Sequence, residues 1–154
     1  WETDSPFSQW HKCSFKALGI DFNTAEQYMM FHKALLFNDE EIADKILATK
    51  NQREQKMLGR EVVNFDDKIW KENARRIVYE ANRYKFMQND NLKLELLGTG
   101  EKLLVEASPD DSIWGIGLRK EDKRALNYNS WQGTNWLGYV LTLLREDIKK
   151  TMDE

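Results

Sequence analysis

A single α+β domain, dominated by helices with a few short strands, is what the sequence predicts, and three observations carry the prediction. Apolar residues recur at helical spacing in several long stretches, strand character is confined to short segments, and no repeat, low-complexity tract or Pro/Gly/Ser-rich linker interrupts the 154 residues. A chain of that length fits one compact domain, since domains typically run ~100–150 residues. It can support a core without disulfides or a structural metal. The domain is therefore drawn over residues 1–154.

Residues 12–22 carry two short apolar patches around Ala17-Leu18-Gly19, a hairpin signal. Thr24 and Gln27 have capping-box spacing and start a helix near Ala25 that runs to about Phe37, where Asn38 stops it. Asn38-Asp39 with Glu41 restart a helix whose apolar stripe is Ile42, Ala43, Ile46 and Leu47, and Gly59 suits a left-handed end to a further helix over 52–58. The longest helical signal, 67–88, opens at Asp66 and aligns Trp70, Ala74, Ile77, Ala81 and Tyr84 on one face. A shorter helix around Leu92–Leu97 ends at Gly98, Leu103–Ala107 reads as a strand, and Ser108-Pro109-Asp110-Asp111 is turn chemistry. The loop 119–133 is polar and aperiodic, and its ~15 residues suit a lid. A last amphipathic helix from Trp136 to about Lys149 lines up Leu137, Val140, Leu141, Leu144 and Ile148.

The charge balance, 23 Lys+Arg against 26 Asp+Glu for a net −3, is slightly acidic, whereas nucleic-acid binding as a main activity would bring a basic excess. The basic residues instead form local clusters: Arg53, Lys56 and Arg60; Arg75, Arg76, Arg83 and Lys85; Arg119, Lys120, Lys123 and Arg124. Most such runs are solvated helix faces, and a few can hold phosphates. A lone Cys13 makes no internal bridge and fits a cytoplasmic location. No run of ~18 apolar residues and no basic-then-apolar leader is present, so neither a membrane span nor a secretory signal is expected. The start at Trp1 rather than Met points to a processed, trimmed or excised chain. His11 and His32 are the only histidines, and neither they nor Cys13 has zinc spacing; a Gly-rich phosphate loop and a nucleophile elbow are also missing from the sequence. No metal and no cofactor is expected.

Two places could carry chemistry. At 100° per residue the helix 25–37 puts Glu26, Met30, Lys33 and Phe37 on one face and Tyr28, Phe31 and Leu35 on the other. Such an all-round apolar helix should be buried, and a buried ion needs a partner or a use. Glu26 in the first turn stays ionised against the unpaired N–H groups, and Lys33 lies about 10.5 Å further along the axis, so the two long side chains could flank one ligand. The bland alternative is a carboxylate that merely favours the helix start and a lysine that snorkels to water. The second place is Val105 to Gly117, where a strand runs into Asp110, Asp111 and a Gly-flanked Trp114, suited to a sugar or base pocket or simply to a tight turn over a core Trp.

Ser5-Pro6-Phe7-Ser8-Gln9-Trp10, Thr24-Ala25-Glu26-Gln27-Tyr28-Met29-Met30 with Lys33-Ala34, Leu58-Gly59-Arg60, Tyr84-Lys85-Phe86 with Gln88-Asn89, Leu97-Gly98-Thr99-Gly100, Leu104 to Ser108 with Asp111 and Trp114-Gly115-Ile116-Gly117, and Asn135-Trp136-Leu137-Gly138 follow one another along nearly the whole chain. In that succession they resemble the NADAR superfamily, also called YbiA-like. The resemblance implies a helix-rich α+β domain that hydrolyses N-glycosidic bonds, either in ribosylamino pyrimidine phosphate intermediates of riboflavin synthesis or in ADP-ribosylated guanine of nucleic acid, reversing a toxin's modification. By position Glu26 resembles the essential glutamate, Asp111 and Trp114 match an acidic-aromatic motif, and Lys33 and Arg60 match positions near the ligand. Phe7, Ser8, Trp10 and Asn135 join the substrate-binding candidates on their motifs. Ile116 stands where some members have aspartate and Trp136 where some have arginine, and members often carry a short strand ahead of Ser5 that is expected to be lacking here.

The expectation is therefore an N-glycosidic hydrolase that removes ADP-ribose from modified guanine, with the riboflavin intermediates as the alternative substrate and a cognate ADP-ribosylating toxin as a possible partner. Glu26 would stabilise positive charge at C1′ and orient water. Asp111 would bind ribose hydroxyls or assist proton transfer, Trp114 with Phe7 or Trp10 would stack on the base, and Lys33 and Arg60 would neutralise phosphate. A rival is a binding module for ADP-ribose or NAD that needs no Glu26, and a third reading is a pure interaction domain.

Overall fold

The computed structural model describes residues 5–153. They form helices α1 (Ala25–Leu36), α2 (Glu40–Ala48), α3 (Gln52–Arg60), α4 (Asp67–Met87), α5 (Asp90–Leu97) and α6 (Trp136–Met152), with one two-stranded sheet of β1 (Phe15–Ala17) and β2 (Ile20–Phe22). Helices thus dominate, as the periodicity predicts. The chain divides into two compact units whose boundary falls within α5, between Leu94 and Glu95. No helix among the described residues is long and apolar enough to cross a membrane.

In the N-terminal unit, β1 and β2 pair antiparallel with Phe15 opposite Phe22. The two-residue turn places both Leu18 (φ 50°) and Gly19 (φ 82°) in the left-handed region, as a primed hairpin turn requires. The stacked Phe15 and Phe22 rings (5.5 Å) meet Tyr28 and Phe31, which binds the hairpin to α1. The Thr24 side chain accepts from the Gln27 N–H at 2.9 Å, while Gln27 Oε1 reaches past the cap to accept from Asn23 N–H at 2.8 Å. At the other end Asn38 turns left-handed (φ 58°), and the Asn38 and Asp39 N–H groups return to the Leu35 and Ala34 carbonyls. This is a Schellman ending. Asp39 then caps α2 through Ile42 N–H (3.1 Å) and also accepts from Val63 N–H (3.0 Å). α1 packs on α2, α3 and α4, which explains why so much of its circumference is buried.

Gly59 does not end a helix. It lies inside α3, and a β-carbon there would collide with the Met30 thioether of α1, so the glycine serves close helix packing.

In the C-terminal unit the expected strand 103–107 joins no ladder among the described residues. Side chains of α6 and its cap take its backbone groups instead: Thr142 Oγ1 accepts from Leu104 N–H (3.0 Å), Asn135 Oδ1 accepts from Glu106 N–H (2.8 Å), and Asn135 Nδ2 donates to the Leu104 carbonyl (3.0 Å). The five predicted α6 residues, Leu137 to Ile148, are all buried. So is the Arg145 guanidinium, 1% exposed, which donates to Thr99 Oγ1 (2.8 Å) and the Lys102 carbonyl (2.6 Å) and pairs with Glu146. The loop 119–133 contains two 3-10 turns, Lys123–Leu126 and Tyr128–Ser130. Gly100 (φ 73°), and not Gly98, takes the left-handed conformation after α5.

Gly138 shows how closely 104–106 approaches α6, since a β-carbon there would collide with the Leu104 carbonyl and the Asn135 amide. Gly138→Ala should therefore lower stability by about 1–3 kcal/mol in urea unfolding, although alanine in an open helix site would raise it by ~1 kcal/mol.

Candidate functional site

Residues 5–14 have neither helix nor ladder, and the N-terminal unit holds them through side chains. Lys85 of α4 is fully buried and donates from Nζ to the Ser8 carbonyl at 3.0 Å, its ammonium lying 5.0 Å from the Phe86 ring centroid. Phe7 stacks on Phe86 at 6.3 Å. Ser8 Oγ accepts from the Trp10 N–H at 3.1 Å, so the Ser8 side chain shapes the turn. The Trp10 carbonyl accepts from Gln52 Nε2, and the Lys56 ammonium sits 5.1 Å from the Trp10 ring centroid. The Gln9 side chain accepts from Asn82 Nδ2 at 2.8 Å.

This held segment sets the place of Glu26, because the Glu26 N–H donates to the Gln9 carbonyl at 2.9 Å. Glu26 is 8% exposed in the first turn of α1, where the N-terminal dipole favours its charge. Lys33, two turns along, is half-buried with its ammonium 4.7 Å from the Phe65 ring centroid and 5.6 Å from that of Trp70. Burial pulls the Lys33 pKa below the usual lysine range; Glu26 opposes that shift and Arg60 adds to it. Arg60, exposed at the end of α3, therefore shares a field with Lys33 and Glu26. The N-terminal unit so combines one carboxylate, two cations and two aromatic faces. Phe65 and Trp70 were missed from the sequence, Trp70 because its helical spacing reads as core.

In the C-terminal unit Asp111 Oδ1 accepts from the Ile113 N–H (3.0 Å) and the Trp114 N–H (2.8 Å), which closes a turn and leaves the carboxylate half-exposed. Trp114 lies edge-to-face with Trp136 at 5.5 Å. Gly115 is needed because a β-carbon would come within 2.8 Å of the Glu106 carbonyl oxygen. Asn135 has a left-handed backbone (φ 53°) and no exposed surface, and both ends of its amide are engaged by residues 104–106. Asn135, expected from its motif among the substrate-binding residues, holds residues 104–106 with its amide.

The family model described as the NADAR domain matches residues 1–149. The chain belongs to the NADAR family. An N-glycosidase of Acanthamoeba polyphaga mimivirus is 48% identical over 146 residues, covering 92% of this chain and 86% of that protein. A riboflavin biosynthesis protein of Vibrio vulnificus is 27% identical over 143 residues, covering 93% of this chain but 35% of its own length. The NMR structure of the E. coli protein YbiA superposes with a TM-score of 0.81 at 27% identity, over 100% of this chain and 85% of that one. In this NADAR chain Ile116 is completely buried, while Trp136 packs on Trp114.

Lys85 offers a test of the clamp on the Ser8 segment. Burial lowers its pKa from 10.5 to about 8, partly offset by Cys13. Between those two values the unfolded chain binds more protons than the folded one, so stability rises with pH by up to ~1.4 kcal/mol per unit from this group. The unfolding free energy of wild type minus that of Lys85→Met should be level below pH ~7 and climb between pH ~8 and ~10.5.

Proposed function

We propose that this NADAR chain is an N-glycosidic bond hydrolase that removes ADP-ribose from modified guanine. The observation that carries the reading is the group formed by Glu26, Lys33 and Arg60 with the Phe65 and Trp70 faces: a carboxylate held at a helix start beside cations suited to phosphate and rings suited to a ribosyl nucleotide. The mimivirus relative's name, an N-glycosidase, supports the reaction class.

In the reaction the C1′–N bond breaks, its electron pair goes to the leaving nitrogen, and C1′ passes through an oxocarbenium-like transition state. Ionised Glu26 stabilises that positive charge electrostatically and accepts the proton of the water whose oxygen bonds to C1′. Lys33 and Arg60 hold phosphate. The family resemblance alone assigns Asp111 the role of ribose ligand or proton donor to the leaving nitrogen, and Trp114 that of stacking surface. A specific observation favours the runner-up substrate, a ribosylamino pyrimidine phosphate: the Vibrio relative is named for riboflavin biosynthesis.

Mass spectrometry of an oligonucleotide bearing ADP-ribosyl-guanine, beside a ribosylamino pyrimidine phosphate, tests the assignment. Glu26→Gln should cut kcat at least ~10²-fold with KM little changed; full turnover by that variant would remove Glu26 from the chemistry. Cleavage of the small metabolite alone would select the second substrate, and calorimetric binding of ADP-ribose without turnover of either would select a binding module.

Asp111→Asn should separate charge from shape. It keeps the Oδ1 that caps Ile113 and Trp114, so thermal unfolding should match wild type while activity falls. Asp111→Ala should also lose about 1 kcal/mol of stability.

A further inference from the structure

Residues 119–131 of the C-terminal unit carry side chains that the proposed chemistry leaves unused. Arg119, Lys120, Lys123 and Arg124 stand against Glu121 and Asp122, four basic residues to two acidic in a chain that is acidic as a whole. Arg124 and Asp122 satisfy each other through two hydrogen bonds of 3.2 and 2.9 Å, so the remaining balance of the loop is basic. Beyond these residues Leu126 is 92% exposed and Tyr128 69% exposed.

The display is ordered. Asp122 caps the first 3-10 turn by accepting from the Arg124 N–H at 2.9 Å, and Asn127 caps the second by accepting from the Asn129 N–H at 3.1 Å. Trp131 Nε1 donates to the Ala125 carbonyl at 2.9 Å and meets the Tyr128 ring edge-to-face at 6.5 Å. A phenol ring is thus presented to solvent on a fixed backbone, next to the turn that carries Lys123 and Arg124. One Tyr and one Leu make too small an apolar area for the core of a protein interface. A ring among cations is the chemistry that takes a splayed base on its face and phosphates on its rim.

We propose that residues 119–131 form a docking surface for single-stranded nucleic acid, with Tyr128 stacking on an unpaired base and Arg119 and Lys123 meeting the flanking phosphates. The inference rests on the reading of modified guanine in nucleic acid as substrate. It also accounts for nucleic-acid recognition by a chain with no overall basic excess.

Fluorescence anisotropy with an unmodified single-stranded oligonucleotide tests the surface apart from the chemistry. Wild type should bind at low salt, Tyr128→Ala should bind about tenfold more weakly, and Tyr128→Phe should bind as wild type does. Arg119→Ala and Lys123→Ala should each reduce the slope of log affinity against log salt by ~0.7. In turnover the same variants should slow cleavage of the modified oligonucleotide but not of ADP-ribosyl-guanosine alone. Absence of wild-type binding, or binding indifferent to both the ring and the cations, would overturn the docking surface. Wild type that binds the oligonucleotide yet cleaves neither modified substrate would remove the hydrolase reading and leave the surface standing.

Discussion

The hydrogen bond from a fully buried lysine to a main-chain carbonyl is the constraint on which the N-terminal unit depends. Residues 5–14 have no regular structure of their own, so their polar backbone groups must find partners elsewhere or carry the cost of burial. α4 supplies those partners. Lys85 holds the Ser8 carbonyl, Asn89 the Ser14 carbonyl at 3.0 Å, and the Gln88 amide both backbone groups of Lys16 at 2.7 Å. Lys85, Gln88 and Asn89 therefore form one row of side chains that takes backbone groups of residues 8–16. Its consequence reaches α1, because the clamped Gln9 carbonyl is the acceptor for the Glu26 N–H and so fixes where the helix begins.

The C-terminal unit solves the same problem from the opposite direction. Residues 103–107 have strand composition and would ordinarily seek a neighbouring strand, yet α6 and its cap provide partners for their backbone groups at Leu104 and Glu106. Asn135 can do this because an amide carries a donor and an acceptor in one plane, as a peptide group does, and because its left-handed backbone turns the side chain away from the usual capping position. Gly138 permits the approach and Thr142 completes it. Arg145 and Lys149 then hold the carbonyls of Lys102 and Gly100, so the α6 face toward this segment offers an acceptor in Thr142 and donors in Arg145 and Lys149.

This explains what the sequence made legible and what it hid. The helices could be read because their causes are local: Thr24, Asp39, Asn51 and Asp66 each cap within three residues, and the apolar spacing of α4 and α6 repeats over many turns. The strand expected at 103–107 has the right composition, but strand status depends on a partner elsewhere in the chain, and composition does not report it. Gly59 was misread for the same reason, since its cause is Met30 on another helix. Of the candidate site, Glu26 and Lys33 were legible as ions on an apolar helix, whereas Phe65 and Trp70 were not, because nothing local distinguishes a ring beneath an ammonium from a ring in the core. Asn135 was legible as a motif member but not in its role.

The two depressed lysines show why similar electrostatics lead to different readings. Lys85 lies wholly inside and donates a hydrogen bond to a carbonyl, which fixes its direction, while burial disfavours its charge. Lys33 is half-buried and sits over two ring faces, which attract a cation without imposing the geometry of a hydrogen bond. Its field also includes a second cation, Arg60, which disfavours its charge. Glu26 on the same helix face acts the other way and more strongly than the exposed Arg60, so the three charges are compatible with the folded domain. An anion set between the two cations would turn their repulsion into attraction, which is the electrostatic ground for the phosphate role proposed for Lys33 and Arg60.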